Sequence, residues 1–109
     1  MWVFTTSGFL SAVYKDGALQ VRARDRKSLD ALAKSTGAAI IATPLADYPY
    51  RIAITNEQFS NWLSQQVMAI DYKNFKSEIA ATRGYGYAKP LNKVWSVMHE
   101  VEDAQARKR

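Results

Sequence analysis

The chain has 109 residues, of which 48% are hydrophobic, and it contains no cysteine. This length and apolar content predict one folded domain, while the lack of cysteine excludes disulfides, thiolate metal sites and a cysteine nucleophile. A formal net charge of +5 favours an acidic partner, nucleic acid included. The first six residues lack the basic region of a secretory signal, and the short, apolar segment Trp2–Thr6 predicts a first strand.

A β-hairpin follows this strand. The segments Phe9–Tyr14 and Ala18–Arg24 alternate in character and are joined around Asp16 and Gly17. Asp-Gly between alternating segments is the strongest short hairpin signal, because a type I′ turn needs a positive φ at both central residues. We therefore predict a tight two-residue turn at this point.

The turn also predicts the register of the hairpin. With Asp16 and Gly17 at its centre, residues two apart share a face, and the apolar set must be the buried one. This set pairs Tyr14 with Leu19, Ala12 with Val21 and Leu10 with Ala23. The opposite face pairs Val13 with Gln20, Ser11 with Arg22 and Phe9 with Arg24, which makes it basic with one exposed ring.

The middle of the chain alternates between helix and strand. Asp25 is a suitable N-cap for a helix over residues 26–35, and Gly37 is a natural residue just beyond its end. The apolar run Ala38–Thr43 predicts a central strand buried on both faces, which Pro44 ends. After a loop, Tyr50–Ile54 predicts another strand.

The clearest amphipathic pattern lies in the helix predicted over residues 57–70. Thr55 and Gln58 form a capping box at its start. Burial of a large apolar side chain stabilises a fold by roughly 1.5–3 kcal/mol, so we expect this helix to contribute most to the core. Its inward stripe is predicted to be Phe59, Trp62, Leu63, Val67 and Ile70.

The last third of the chain is predicted to be helical. Asp71 is read as an N-cap for a short helix that carries Phe75 and Ile79. A loop is expected over residues 83–87, and Pro90 would begin a last helix. We expect residues 104–109 to form a basic, mobile tail after a single domain over residues 1–103.

The order of elements predicts an α+β fold. We expect a single-layer antiparallel or mixed sheet of four to five strands, with three to four helices packed on one face and a helical C-terminal half. A split β-α-β arrangement of the ferredoxin-like class is the looser alternative.

Motifs for catalysis or cofactor binding are missing from the sequence. The lone His99 with Glu102 and Asp103 is a poor metal-ligand set. There is no nucleophile elbow, P-loop or dinucleotide fingerprint. We therefore expect a protein that is not an enzyme, with no catalytic residue, no metal and no cofactor. An enzyme with dispersed residues would need a deep pocket lined by Asp47, Arg51 and Asp71.

Two short stretches combine rings with charges and are candidates for binding a partner. Tyrosine and arginine are frequent hot-spot residues in interfaces. The alternatives are structural: a proline-stiffened turn whose tyrosines pack on the core while Asp47 pairs with Arg51, and a capped helix start with Phe75 buried. The candidate partner-binding residues are Tyr48, Tyr50, Arg51, Asp71, Tyr72, Lys73 and Lys76.

The basic face of the hairpin is the candidate site for nucleic acid. Cations beside a ring on an open sheet can hold phosphate and stack a base. The alternative is a solvated face whose charges prevent edge-to-edge pairing of strands. The residues concerned are Phe9, Arg22, Arg24, Arg26 and Lys27.

Five segments, in this order, resemble a family of small uncharacterised proteins of bacteria and their phages. They are residues 2–9 (WVFTTSGF), 21–26 (VRARDR), 47–51 (DYPYR), 70–76 (IDYKNFK) and 94–98 (VWSVM). The resemblance implies a free-standing cytoplasmic protein of bacterial, phage or prophage origin. It implies no activity.

The sequence thus favours a non-enzymatic cytoplasmic protein that binds a host or phage macromolecule, with a protein as the first choice of partner. Sequence-independent binding of nucleic acid through the hairpin is the alternative. No apolar run approaches the ~20 residues of a membrane span, so a membrane is not expected as a partner. An uncovered edge strand would permit a homodimer.

Overall fold

The computed structural model describes the backbone of residues 1–107 and the side chains of residues 1–104. The chain divides into two compact units, Met1–Tyr72 and the segment from Lys73 onward. The single domain expected over residues 1–103 stays a prediction. The backbone is helical to Arg107, whereas the last two residues of the predicted tail, Lys108 and Arg109, lie outside the described residues.

The N-terminal unit is a five-stranded sheet with two helices. The strands are β1 (Trp2–Thr5), β2 (Gly8–Lys15), β3 (Ala18–Ala23), β4 (Ile41–Ala42) and β5 (Tyr50–Ile54). Their order in the sheet is β1-β2-β3-β5-β4, and every neighbouring pair is antiparallel. Helix α1 (Lys27–Thr36) follows β3, and α2 (Asn56–Met68) follows β5.

The C-terminal unit is helical over its described residues, with α3 (Phe75–Arg83), α4 (Tyr85–Met98) and α5 (Glu100–Arg107). Ile79 of α3 and Ala88 of α4 are buried. The predicted α+β fold with a helical C-terminal half is confirmed. No helix over residues 1–107 is long and apolar enough to cross a membrane.

The hairpin turn and its register are as predicted. Asp16 has a φ of 56° and Gly17 a φ of 78°, which is the pair of positive angles that a type I′ turn requires. Ala12 pairs with Val21, as expected. Tyr14 pairs with Leu19 but is 69% exposed, because it lies next to the turn at the end of the hairpin.

The core lies between one face of the sheet and the two helices of this unit. Trp62 is only 2% exposed, and its ring stacks on Phe59 with 6.2 Å between the ring centroids. Both helices close over the same face of the sheet. The fully buried side chains of this core are Leu10, Val21, Ala23, Leu29, Leu32 and Ile52.

The prediction for the second half of the α2 stripe was wrong. Val67 is 62% exposed and Ile70, beyond the end of the helix, is 53% exposed. Both side chains line a cavity of about 300 Å³ beside β1. Because β1 is the edge strand, the sheet offers no further strand on which these side chains could pack.

The prediction of a central strand over residues 38–43 was also wrong. Only Ile41–Ala42 is a strand, and it lies at the outer edge beyond β5. Ala38 and Ile40 pack against the core, while Ile41 is 51% exposed. An apolar run does not distinguish a central strand from a segment that leaves a helix and crosses the edge of the core.

Two of the predicted N-caps are displaced. Asp25 precedes the actual cap residue, Arg26, and accepts a hydrogen bond from the hydroxyl of Ser28. Asp71 is not a cap, because α3 begins later, where the side chain of Asn74 accepts from the backbone N–H of Ser77 at 3.1 Å. A capping residue close to a helix start in sequence competes with its neighbours, and the packing of the helix decides among them.

Two other caps are as predicted. The hydroxyl of Thr55 accepts from the N–H of Gln58 at 3.0 Å, and the Gln58 side chain accepts from the N–H of Thr55 at 2.9 Å. This is the complete capping box. Gly37, with a φ of 75°, closes α1 by donating to the carbonyl of Ala33.

The predicted loop over residues 83–87 and the predicted start at Pro90 were wrong. Only Gly84, with a φ of 90°, separates α3 from α4, which begins at the next residue. Pro90 lies inside α4, where it has no N–H to donate to the carbonyl four residues earlier. The predicted last helix is interrupted at His99, which separates α4 from α5.

Replacing Trp62 by alanine should destabilise the protein by about 3–5 kcal/mol, because it empties a closed site in the core. The matched control is Val67→Ala on the same helix, which should cost no more than about 0.5 kcal/mol because Val67 is exposed. Urea unfolding followed by circular dichroism measures both values. Equal losses in the two variants would contradict the burial described here.

Candidate functional site

The face of the sheet opposite α1 and α2 carries the candidate site, and we call it the outer face. In an antiparallel sheet, residues that are paired across strands lie on the same face. Val3 pairs with Leu10 on the core side, so its neighbours Trp2 and Phe4 lie on the outer face. Pairing across the sheet places the following residues there: Trp2, Phe4, Phe9, Ser11, Val13, Gln20, Arg22, Arg51 and Ala53.

An aromatic cluster occupies one side of the outer face, with Phe9 at its centre. The ring of Phe4 stacks on Phe9 with 4.8 Å between centroids, and the ring of Trp2 meets Phe9 edge-on at 5.6 Å. The ring of Tyr48 lies 6.5 Å from Phe9 on the other side. Trp2 is 71% exposed and Phe4 is 37% exposed, so the cluster presents ring surface to solvent at its β1 end.

Tyr48 links the rings to the cations. It comes from the turn before β5, which is held by a hydrogen bond from the N–H of Thr43 to the carbonyl of Pro49 at 2.7 Å. The guanidinium groups of Arg22 and Arg24 lie 4.4 Å and 4.1 Å from the centroid of its ring. Tyr48 is almost fully buried, so its ring acts as a support for two cations.

Arg24 is neutralised by the chain itself. Its Nη1 donates to the Asp47 carboxylate at 3.0 Å and to the main-chain carbonyl of the same residue. The hydrogen bond to Asp47 is the largest cause that raises the pKa of Arg24 above its ordinary value. Both side chains are more than half exposed, so the pair stabilises the fold by at most about 1 kcal/mol.

Arg22 and Arg51 are not neutralised in this way. They are cross-strand partners in the β3–β5 register, so two arginines extend from paired positions of the outer face. Like charges directly opposite each other destabilise a sheet. Over residues 1–104, neither guanidinium has a carboxylate partner, and the only hydrogen bond of the pair runs from Nη2 of Arg22 to the hydroxyl of Ser11 at 2.9 Å.

The Nε atoms of Arg22 and Arg51 add to the number of N–H donors that lack an acceptor. Both are buried without a hydrogen-bond acceptor. A buried donor without a partner loses its hydration and regains nothing. The two side chains together carry ten N–H donors, and the described part of the chain supplies an acceptor for one of them.

The residues predicted to bind nucleic acid are partly brought together. Phe9, Arg22 and Arg24 meet on or beside the outer face around Tyr48. Arg26 and Lys27 are exposed at the start of α1, where Arg26 is the cap residue.

The two residues of β5 that were predicted to bind a partner protein lie on opposite faces of the sheet. Arg51 lies on the outer face, whereas Tyr50 is paired with Ala23 and packs half-buried against the core on the other face. Asp71 and Tyr72 end the N-terminal unit, and Lys73 and Lys76 belong to the C-terminal unit. Asp47 pairs with Arg24, so the structural alternative was wrong in pairing Asp47 with Arg51.

Lys76 has a ring partner within its own unit. Its Nζ lies 3.8 Å from the centroid of the Trp95 ring. His99 lies edge-on to the same ring, and its Nδ1 is 2.8 Å from Oε2 of Glu102. Over residues 1–104, no three His, Cys, Asp or Glu side chains come together as a metal site would require.

Sequence reasoning missed the two exposed rings of β1. Trp2, Val3 and Phe4 are all apolar, so the segment has no alternation that would indicate which face is exposed, and only the pairing of β1 with β2 decides it. It also missed the role of Arg51 in the basic face, since that role depends on β5 pairing with β3, a contact between residues about thirty positions apart in sequence.

No protein-family model, curated protein or solved structure matches the chain.

Replacing Tyr48 by leucine should destabilise the protein by about 1–2 kcal/mol, because two cation–π contacts are lost while apolar bulk is retained. Tyr48→Phe keeps the ring and is the control, with a loss below about 1 kcal/mol. Denaturant unfolding compares the two variants. If leucine were tolerated as well as phenylalanine, the ring would not be a support for the arginines.

Proposed function

We propose that the protein binds single-stranded nucleic acid on the outer face, without sequence preference. The observation that carries the proposal is the presence of exposed rings and uncompensated guanidinium groups on one face of one sheet. Trp2 and Phe4 offer ring surface, and Arg22 and Arg51 offer charge. Single-strand binders combine these two features, because every base has a π-face and every linkage has a phosphate.

The arrangement of the face favours a single strand over a duplex. In a duplex the faces of the bases are stacked on each other and are not accessible to a protein ring. The exposed rings of β1 could then make no stacking contact, and the arginines alone would hold the backbone. An unpaired strand can use both groups together, so its affinity should be higher.

The net charge of the chain supports the same proposal. A formal charge of +5 steers a polyanion towards the protein over distances of about a Debye length. Asp47 neutralises Arg24 through an ion pair, so the positive potential of the outer face depends on Arg22 and Arg51.

The geometry favours this proposal over a protein partner at the residues that the sequence indicated. Tyr48 is almost fully buried, and Tyr50 packs against the core on the opposite side of the sheet. Neither ring is therefore available as an interfacial anchor of the kind expected. A protein partner stays a prediction that the burial of these two rings does not support.

Binding of fluorescently labelled oligonucleotides tests the proposal. A 15-nucleotide single strand of random sequence should bind more tightly than a duplex of the same length, measured by fluorescence anisotropy at 50 mM and 200 mM salt. The logarithm of the association constant should fall linearly with the logarithm of the salt concentration, with a slope of about −0.7 per phosphate contact. Absence of binding at 50 mM salt would refute the proposal.

Removal of the exposed rings tests the stacking role separately. Trp2→Ala and Phe4→Ala should each weaken single-strand binding by about 1–3 kcal/mol, the worth of one base stacked on a ring. The salt slope should stay unchanged, because no phosphate contact is removed. Tyr14→Ala, which removes an exposed ring from the opposite side of the same sheet, is the matched control and should bind like the unmodified protein. Equal behaviour of Trp2→Ala and Tyr14→Ala would contradict a stacking role for β1.

A further inference from the structure

We propose that Arg22 and Arg51 together form a binding site for one phosphoryl group. This inference deepens the proposed function. It rests on that function in one respect, because the nucleic-acid backbone is taken as the natural source of the phosphoryl group. The site would lie on the outer face, where Arg22 of β3 and Arg51 of β5 are cross-strand partners.

The three arginines around the outer face differ in the hydrogen-bond acceptors that the chain provides for them. The chain provides Arg24 with a carboxylate and a carbonyl from one residue, Asp47. It provides Arg22 with one hydroxyl and provides Arg51 with no acceptor within the described residues. Two of the three cations therefore retain their charge and most of their hydrogen-bonding capacity.

Arg22 and Arg51 occupy paired positions on neighbouring strands. They are direct cross-strand partners, an arrangement in which like charges oppose each other and weaken the sheet. Both side chains are only partly exposed, so water screens this repulsion less than it would at a fully exposed pair. A tetrahedral oxyanion between the guanidinium groups would convert the repulsion into two attractions.

The chemistry of arginine selects the ligand class. The planar guanidinium presents paired N–H donors that match two oxygens of a phosphate or carboxylate. Tyr48 holds Arg22 by its ring face, and Ser11 holds one of its nitrogens, so this guanidinium is fixed before a ligand arrives. A phosphoryl group has enough oxygens to accept hydrogen bonds from both arginines at once. A carboxylate has only two oxygens, which one guanidinium group can occupy by itself.

The free protein should therefore be less stable than it would be without this pair. Arg51→Met retains the apolar stem and removes both the repulsion and the buried donor that lacks an acceptor. We expect this variant to fold with a melting temperature at or above that of the unmodified protein in chloride. It should also fail to respond to phosphate.

Thermal unfolding with inorganic phosphate tests the site directly. Addition of phosphate should raise the melting temperature progressively with concentration, while sodium chloride at matched ionic strength should not. The rise should disappear in Arg22→Met and Arg51→Met. It should persist in Arg24→Gln, the matched control, which removes a neighbouring cation that Asp47 already neutralises.

If either methionine variant fails to fold, the lysine variant at that position should fold and show a phosphate response reduced at least severalfold, because a point charge lacks the planar fork.

Two results of the phosphate titration would overturn the proposal. One is a response of the unmodified protein to phosphate no larger than its response to chloride. The other is a full phosphate response in both methionine variants, which would place the anion elsewhere.

Measuring both phosphate stabilisation and oligonucleotide binding separates this inference from the proposed function. Stabilisation by phosphate without any binding of oligonucleotide would support the subsite and refute the nucleic-acid function. Oligonucleotide binding that Arg22→Met and Arg51→Met leave unchanged would refute the subsite alone. Comparing oligonucleotides with and without a 5′-phosphate distinguishes the two sources: equal affinities indicate a phosphodiester, and a preference of tenfold or more for the 5′-phosphate indicates a terminal phosphate.

Discussion

The two-residue turn at Asp16 and Gly17 is the constraint on which the N-terminal unit depends. Side chains in a strand alternate between faces with a period of two, so a slip of one residue would exchange the faces completely. The positive φ angles of the turn hold the register in which Val21 faces the core and Arg22 faces outward. The aliphatic core and the cationic face are two consequences of one local geometry.

The two faces of this sheet have different physical tasks. One face is covered by α1 and α2 and supplies the apolar burial that stabilises the unit. The outer face carries rings that pack on each other beside charges that the chain compensates only in part. Arg22 and Arg51 can occupy paired positions because the opposite face supplies enough stability to hold the strands together.

The local features of the fold were predictable because each depends on residues close in sequence. The hairpin turn needs two adjacent residues, and the capping box needs Thr55 and Gln58 three positions apart. Competing local signals were harder to resolve. Asp71 and Asn74 are both good caps, and only the packing of α3 selects Asn74. Part of the basic face was visible in the same way, since Arg22 in β3 and Arg24 just beyond its end alternate with the core residues Val21 and Ala23.

The sequence by itself thus determined the α+β class, the hairpin register and the inward position of Trp62, because these follow from short-range geometry and periodicity. Only the tertiary structure decided that Ile41 lies at an edge, that Tyr48 sits beneath two arginines and that Arg51 faces Arg22. The physical reason is that each of these depends on which strands become neighbours. That choice is made by burial summed over the whole unit, and no segment of the chain carries it alone.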